Sequence, residues 1–339
     1  MSKLRILITG GAGFIGTNAV ARYVKRDCDV VVLDNLSRKG SEINLRWLRE
    51  QGKFKFIKAN VEDETLKQTL FQKMSFDIVL HLAAQVAITS SVINPMHDFN
   101  INAYGTLLLL EAVRQTSPDS VFIYASTNKV YGSLRELKLH EEAKRYYFDN
   151  RQRGITENQP LDFHSPYSCS KGCGDQYVRD YARIYDMKTV VMRQSCIYGP
   201  HQFGIEDQGW IAWFIIACLS CKPISVYGNG KQVRDVLHIA DLLDCYDSAV
   251  KNIEVVKGKI YNIGGGPLNQ LSVLELLDLL STMSGKDVKY RHYEERPGDQ
   301  KMYVSDISKA QTELGWSPHI QSKDGIQQLY NWIKESFLC

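Results

Sequence analysis

The chain predicts an α/β fold in which a doubly wound parallel sheet carries a smaller C-terminal lobe. Three features of its 339 residues carry that prediction. Apolar runs suited to buried parallel strands alternate with segments of helical period. A glycine-rich turn, Gly10-Gly11-Ala12-Gly13-Phe14-Ile15-Gly16, directly follows the first run. Past residue 195 the rhythm changes, with proline, glycine and aromatic residues punctuating Tyr198–Arg234.

Taken in order, Leu4–Thr9 reads as the first strand and Phe14–Lys25 as the first helix, whose Arg22–Arg26 stretch suits a solvated face. Further strands are expected at Asp29–Leu33, Phe54–Lys58, Ile78–Leu82, Val121–Ala125 and Thr189–Arg193. Helical periods occupy Asp63–Lys73, Met96–Gln115 and Tyr167–Tyr185. Residues 1–195 make the expected nucleotide-binding domain and 196–339 mostly a substrate-binding lobe. Part of the late chain, 238–263, which includes a strand at Lys259–Ile263, is expected to return to the sheet. Such sheets bind ligands at the carboxyl ends of their strands, so those ends are where chemistry is sought.

The glycine turn ends the first strand and opens a helix, and Asp34 closes the second strand 18 residues after Gly16. Gly10 and Gly13 let the backbone approach a pyrophosphate, and Gly16 lets the helix pack close to the strand. The N–H groups of that helix then face the phosphates. This is the Rossmann dinucleotide fingerprint in its proper context. Asp34 is placed to accept hydrogen bonds from a ribose diol and would repel a 2′-phosphate, which favours NAD over NADP.

A net charge of +3 offers no basic patch for nucleic acid. No run approaches the roughly 18–20 apolar residues that span a membrane, so neither a nucleic acid nor a membrane is an expected partner. The short N-terminal apolar run is already used as a strand and does not suit a signal peptide. The eight cysteines are scattered, and Cys218 and Cys221 have no second pair or histidine cluster beside them. All eight are expected to be reduced and mostly buried, which suits the cytoplasm, and no metal site is expected.

Three Tyr-x-x-x-Lys pairs occur, at Tyr167/Lys171, Tyr227/Lys231 and Tyr330/Lys334. Only the first opens a helix after the fingerprint, with Ser165 as N-cap and Pro166 as first helical residue. The second contains Gly228-Asn229-Gly230 and must be a turn. Tyrosine is a poor base at its ordinary pKa near 10. A lysine charge one helical turn away, with the positive nicotinamide of NAD⁺, favours the phenolate. Tyr167 can then take a hydroxyl proton while the carbon gives up hydride. The hydroxyl of Thr127, at the end of the preceding strand, is placed to hold the reacting oxygen.

Fingerprint, strand-end hydroxyl and Tyr-x-x-x-Lys in this order resemble the extended short-chain dehydrogenase/reductase family, that is, the NAD-dependent epimerases and dehydratases. The resemblance runs along essentially the whole chain. It implies cofactor contacts at Gly10, Gly13, Phe14, Ile15, Gly16, Asp34, Asn35, Asn60, Val61, Leu82, Ala83, Ala84, Gln85 and Asn102, besides Tyr167 and Lys171. The 4,6-dehydratases of this family carry Thr-Asp-Glu at the strand end. Here the residues are Thr127-Asn128-Lys129, which cannot supply two carboxylates, so dehydration is not expected.

Ser126–Gly132, Leu161–Tyr167, Asp207–Trp210, Gly228–His238 and Asp34–Gly40 are similar to the CDP-paratose/CDP-tyvelose 2-epimerase branch. That similarity implies oxidation at C2 of a CDP-linked sugar, rotation of the keto-sugar and return of hydride, as an isomerase of carbohydrate (lipopolysaccharide O-antigen) biosynthesis. Thr127, Tyr167 and Lys171 would be catalytic; Gln85, Thr127, His201, Gln202, Arg234 and Arg296 would meet the substrate, the two arginines at its diphosphate. The other reading of Arg234 is a surface pair with Asp235. Asn60 stands where the family commonly has aspartate, and His201 where arginine is more usual. The same catalytic residues fit a UDP-hexose 4-epimerase, and the fingerprint alone fits an NAD-binding regulatory protein without turnover. Helices of the kind at Met96–Gln115 and Tyr167–Tyr185 pair across a two-fold axis in this family, implying a homodimer or homotetramer.

Overall fold

Each apolar run is apolar toward both faces of the sheet, which requires cover on both sides. In the computed structural model, which describes residues 3–149, 153–296 and 299–337, they pair accordingly. The main sheet has seven parallel strands: β1 (Arg5–Thr9), β2 (Asp29–Asp34), β3 (Lys55–Lys58), β4 (Ile78–His81), β5 (Val121–Thr127), β6 (Thr189–Gln194) and β7 (Lys259–Ile263). Their order is β7-β6-β5-β4-β1-β2-β3, so the chain steps outward from β1 in both directions. The carboxyl ends on either side of β1 form the crevice where such a sheet takes its ligand.

Alternate residues of each strand enter two separate cores. Ile6, Ile8, Val30, Val32, Ile123 and Met192 pack with the helices α1 (Phe14–Lys25) and α8 (Ile239–Lys251). Leu7, Val31, Leu33, Phe122 and Val191 pack with α5 (Gly105–Thr116) and α6 (Pro166–Tyr185) on the other face. The Arg22–Arg26 stretch is solvated in part: Lys25 and Arg26 are exposed, but Arg22 is half-buried and both arginines are ion-paired. Arg22 binds Asp244 at 2.6 Å and Asp247 at 2.9 Å, and Arg26 binds Asp247 at 2.8 Å, tying α1 to α8.

The expected helix over Met96–Gln115 is divided into α4 (Pro95–Phe99), a π-helical turn (Asn100–Tyr104) and α5. A shorter helix, α3 (Ile88–Ile93), precedes it. The expected helix at Asp63–Lys73 narrows to a π-turn over Lys67–Phe71, because the Asp63 carboxylate accepts from the backbone N–H and the hydroxyl of Thr65 and makes a turn instead. Between β2 and β3, α2 (Ser41–Gln51) follows Gly40, whose φ is +86°. In the lobe, α7 (Trp210–Leu219) packs with helices at Val273–Ser284 and Ser322–Phe337 around Phe214, Ile215, Leu277 and Leu329.

The described cysteines are all free, but Cys245 is the buried one. Cys169 and Cys221 are exposed and the others intermediate, since Cys169 lies on the outer side of α6 and Cys221 in the turn after α7. Cys339 lies outside the described residues. Among the described residues no helix is long and apolar enough to cross a membrane, and no group of His, Cys, Asp and Glu could hold a metal ion.

Candidate active site

At the end of β1 the chain turns at Gly10 with φ +67°, and a Cβ there would fall 2.8 Å from the Ala83 nitrogen. At Gly16 a Cβ would lie 2.2 Å from the Gly10 carbonyl oxygen, so turn and helix can touch only without side chains. α1 starts from Gly13 with no side-chain cap, which leaves its first N–H groups for an outside acceptor. Asp34 accepts from the N–H of Ala12 at 2.9 Å and of Leu36 at 2.7 Å. Burial raises its pKa, while those N–H groups and that of Gly13 pull it back. Each carboxylate oxygen keeps a lone pair for a ribose hydroxyl.

A buried relay fixes the facing loop. Thr9 Oγ1 bonds His81 Nδ1 at 2.8 Å and His81 Nε2 bonds Thr106 Oγ1 at 2.9 Å. The N–H groups of Leu82 and Ala83 donate to Thr9 Oγ1, both at 3.2 Å. Burial pulls the His81 pKa down to about 3, so the ring is neutral and serves as a spacer.

These elements enclose a cleft whose open space, mouth included, is about 1090 Å³. Of the residues expected there, Gly10, Gly13, Phe14, Ile15, Gly16, Asp34, Asn35, Val61, Leu82, Ala83, Ala84, His201 and Gln202 line it. An adenosine ribose fits beside Asp34, and a pyrophosphate fits at the uncapped end of α1. Three other expected contacts are placed differently. Asn60 is exposed at the rim, its Oδ1 accepting from Asn35 Nδ2 at 2.8 Å. Gln85 is turned inward: its Nε2 donates to the Ala87 carbonyl and to Asp98 Oδ1, both at 2.8 Å, and its Oε1 takes the Ala87 N–H at 2.6 Å. Asn102 bonds both backbone groups of Gln85, so it holds the loop and does not line the cleft. The π-turn is what directs it there.

Ser165 caps α6, accepting from the Ser168 N–H at 3.1 Å, with Pro166 as first helical residue. Tyr167 and Lys171 follow on one face, both buried. Burial pushes the Tyr167 pKa up to about 12; a hydrogen bond with Thr127 lowers it, Asp98 raises it and the Arg38 charge lowers it. The expectation set Lys171 and the nicotinamide charge together against this; with the protein's own groups alone, desolvation outweighs the neighbouring charges and the phenol keeps its proton. Lys171 Nζ lies 4.1 Å over the Tyr124 ring. Burial lowers its pKa to about 7, with Asp175 and Asp98 opposing.

A pH effect on stability follows. Between about pH 7 and the ordinary lysine value, the unfolded chain binds a proton at Lys171 that the folded chain does not, so this residue makes unfolding harder as pH rises across that window. Lys171→Met is expected to flatten the rise. Urea midpoints at about pH 7 and pH 9.5 would check it: the wild type should gain on the variant at the higher pH.

The two arginines assigned to a diphosphate are both engaged. Arg234 pairs not with Asp235 but with Asp299, at 2.6 Å, and donates to the Val233 carbonyl at 2.8 Å. Asp235 is buried and accepts from Ser195. Burial raises the Asp299 pKa, but Arg234 and Lys129 outweigh it and hold it at about 2. Arg296 pairs with Asp207 at 3.0 Å and lies 4.0 Å over the Tyr227 ring. His201 lines the cleft between Trp47, with ring centroids 3.9 Å apart, and Trp332, at 5.1 Å. Burial lowers its pKa to about 4, so it is a neutral ring where a cation was more usual.

Sequence reasoning singled out none of Ser37, Arg38, Phe203 and Gln208, which also line the cleft. Ser37 and Arg38 lie in Asp34–Gly40 and Gln208 in Asp207–Trp210, segments that carried the resemblance, while Phe203 lies in neither; no spacing marks any of the four.

Comparisons with known proteins agree with this geometry. The model of the family described as GDP-mannose 4,6 dehydratase matches residues 7–329. The chain is 45% identical over 334 residues to a CDP-paratose 2-epimerase of Salmonella typhi, covering 97% of this chain and 99% of that one. It is 32% identical over 333 residues to a putative UDP-glucose 4-epimerase of Methanocaldococcus jannaschii, covering 98% and 99%. Among solved structures, the UDP-glucuronic acid 4-epimerase of Bacillus cereus in complex with UDP-glucuronic acid and NAD superposes with a TM-score of 0.84 at 28% identity, covering 98% of this chain and all of that one.

Proposed function

The chain belongs to the NAD-dependent epimerase/dehydratase family, and from that premise we propose that it is a nucleotide-sugar epimerase acting at C2 of a CDP-linked sugar. What most supports this reading is the 45% identity to a CDP-paratose 2-epimerase along nearly the full length of both chains. The site supports an epimerase over a dehydratase. Where a dehydratase needs two carboxylic side chains, Asn128 is buried and Lys129 reaches toward Asp299 at 3.5 Å and Gln300 at 3.3 Å.

In this proposal Thr127 and Tyr167 share the reacting hydroxyl. Thr127 orients it, and Tyr167 takes its proton as the carbon is oxidised and returns it when hydride comes back to the other face. NAD, when bound, supplies the hydride acceptor and the positive ring charge that brings Tyr167 within reach of its phenolate. Lys171, charged below about pH 7 and held over Tyr124, adds to that pull and can donate to ribose hydroxyls. Arg234 and Arg296 would exchange Asp299 and Asp207 for the substrate's diphosphate, which suits arginine's planar fork.

Deuterium at C2 tests the carbon. It should pass through the enzyme and return to C2 without loss to water, because hydride held on the dinucleotide does not exchange. Solvent hydrogen at C2 would show proton chemistry instead. Movement of a C4 label with C2 untouched would establish the UDP-hexose 4-epimerase reading, which the Methanocaldococcus jannaschii relative favours. Purified chain that epimerises nothing would leave an NAD-binding regulator.

The working unit is proposed to be a homo-oligomer built on α3, α4 and α6. Val92, Ile93, Met96 and Phe99, on α3 and α4, are 64%, 85%, 67% and 48% exposed, a group of apolar side chains that a partner would cover, and Ile184 near the far end of α6 is 66% exposed. Light scattering should give at least a dimer, and Ile93→Lys with Ile184→Asp should give a monomer. A wild-type monomer at micromolar concentration would refute it.

A further inference from the structure

Three arginines belong to the site or its rim, and they differ in what holds them. Arg234 and Arg296 are each ion-paired to a carboxylate. Arg38 lines the cleft, is half-buried, and has no hydrogen-bond or ion-pair partner for its side chain among the described residues. Burial lowers its pKa, and no carboxylate offsets this; Tyr167 would do so only as a phenolate. A guanidinium drawn out of water without an anion is unfavourable.

The backbone holds it there. Asp34 accepts the Leu36 N–H at 2.7 Å, Leu36 has φ +63°, and Gly40 packs so tightly that a Cβ would fall 2.2 Å from the Phe203 ring. Arg38 thus stands on a fixed loop. The same cleft holds the uncapped N–H groups of α1, and the charge of Arg38 bears on Tyr167. It therefore shares a cleft with the dinucleotide turn, where backbone donors already stand ready for an anion.

We propose that Arg38 binds the phosphate oxygens of a diphosphate lodged in this cleft. The assignment rests on the nucleotide-sugar reading above, which provides two sources of that chemistry: the pyrophosphate of NAD and the diphosphate of the sugar nucleotide. Two parallel N–H donors from one planar group match two oxygens of either, whereas lysine offers a point charge.

Arg38→Ala and Arg38→Lys, purified alongside wild type, test it with two readouts. One is NAD(H) released per chain on denaturation; the other is affinity for CDP by calorimetry. The alanine variant is expected to lose about 10- to 100-fold in one of them, the range for a hydrogen bond to a charged group, and the lysine variant to recover part. The melting temperature of ligand-stripped Arg38→Ala should not fall, because the change removes no hydrogen bond or ion pair and takes away a partly desolvated charge. Lost NAD with unchanged CDP binding assigns Arg38 to the cofactor. Lost CDP binding with NAD retained assigns it to the substrate, and loss of both places it between them. Arg38→Ala equal to wild type in both readouts overturns the assignment alone. A wild type that retains no NAD and binds no CDP overturns the enzyme reading with it.

Discussion

Tyr167→Phe is expected to reduce turnover by about 10²- to 10⁴-fold, the usual contribution of a positioned acid–base group. The ring is 8% exposed and packs in the first turn of α6, and phenylalanine preserves that packing. What is lost is the oxygen proposed to share the substrate hydroxyl with Thr127. Melting temperature and retained NAD should therefore stay near wild type while epimerisation of a CDP-sugar collapses. Because the variant has no phenol to ionise, the residual rate should not recover as pH is raised through neutrality. Near-normal turnover by this variant would remove Tyr167 from the mechanism.

The second large effect concerns stability. Asp175 is fully buried on α6 and accepts from Arg193 Nε at 2.9 Å, Arg193 Nη2 at 3.0 Å and Ser126 Oγ at 2.7 Å. The Arg193 side chain is 3% exposed. Asp175→Leu leaves that guanidinium buried without its carboxylate and should cost about 3–5 kcal/mol, read as a fall in urea midpoint. The double change Asp175→Leu with Arg193→Met should recover much of the loss, since a packed apolar pair avoids the desolvation that the ion pair must overcome. If the double variant is as unstable as the single one, the unpaired charge is not the cause. Asp175 also helps keep Lys171 charged, so the single variant should lower the lysine pKa further.

Strand and helix positions were legible because buried parallel strands are apolar throughout and helices repeat every 3.6 residues. Three strands, β2, β5 and β6, run further than the apolar runs do, whereas β1, β3 and β4 are each a residue shorter. β5 continues through Ser126 and Thr127, paired to Arg193 and Gln194, because strand-end polarity belongs to the site and hides the ladder. Nothing in the pattern of Met96–Gln115 marks the π-turn, since its apolar spacing carries on across it. In the site, the glycine turn, Asp34 and the Tyr167–Lys171 pair were legible because their chemistry fixes their spacing. The inward turn of Gln85 and the desolvation of Arg38 were not. The first depends on Asp98 and Asn102, brought to Gln85 by the fold, and the second on burial in a cleft that residues far along the chain, such as His201 and Phe203, help to line.

The place of β7 bears on how the protein is made. β6 pairs on one side with β5 and on the other with Lys259–Ile263, a strand that the ribosome releases some 65 residues later. Until then β6 is a bare edge whose N–H and C=O groups can pair with any strand that passes. The nucleotide-binding half therefore does not mature as an independent early product, although its fingerprint emerges first. Nascent chains stalled between 195 and 238 carry an open edge and an uncovered face where α8 belongs, the state most prone to aggregate. Synthesis of the lobe completes the sheet.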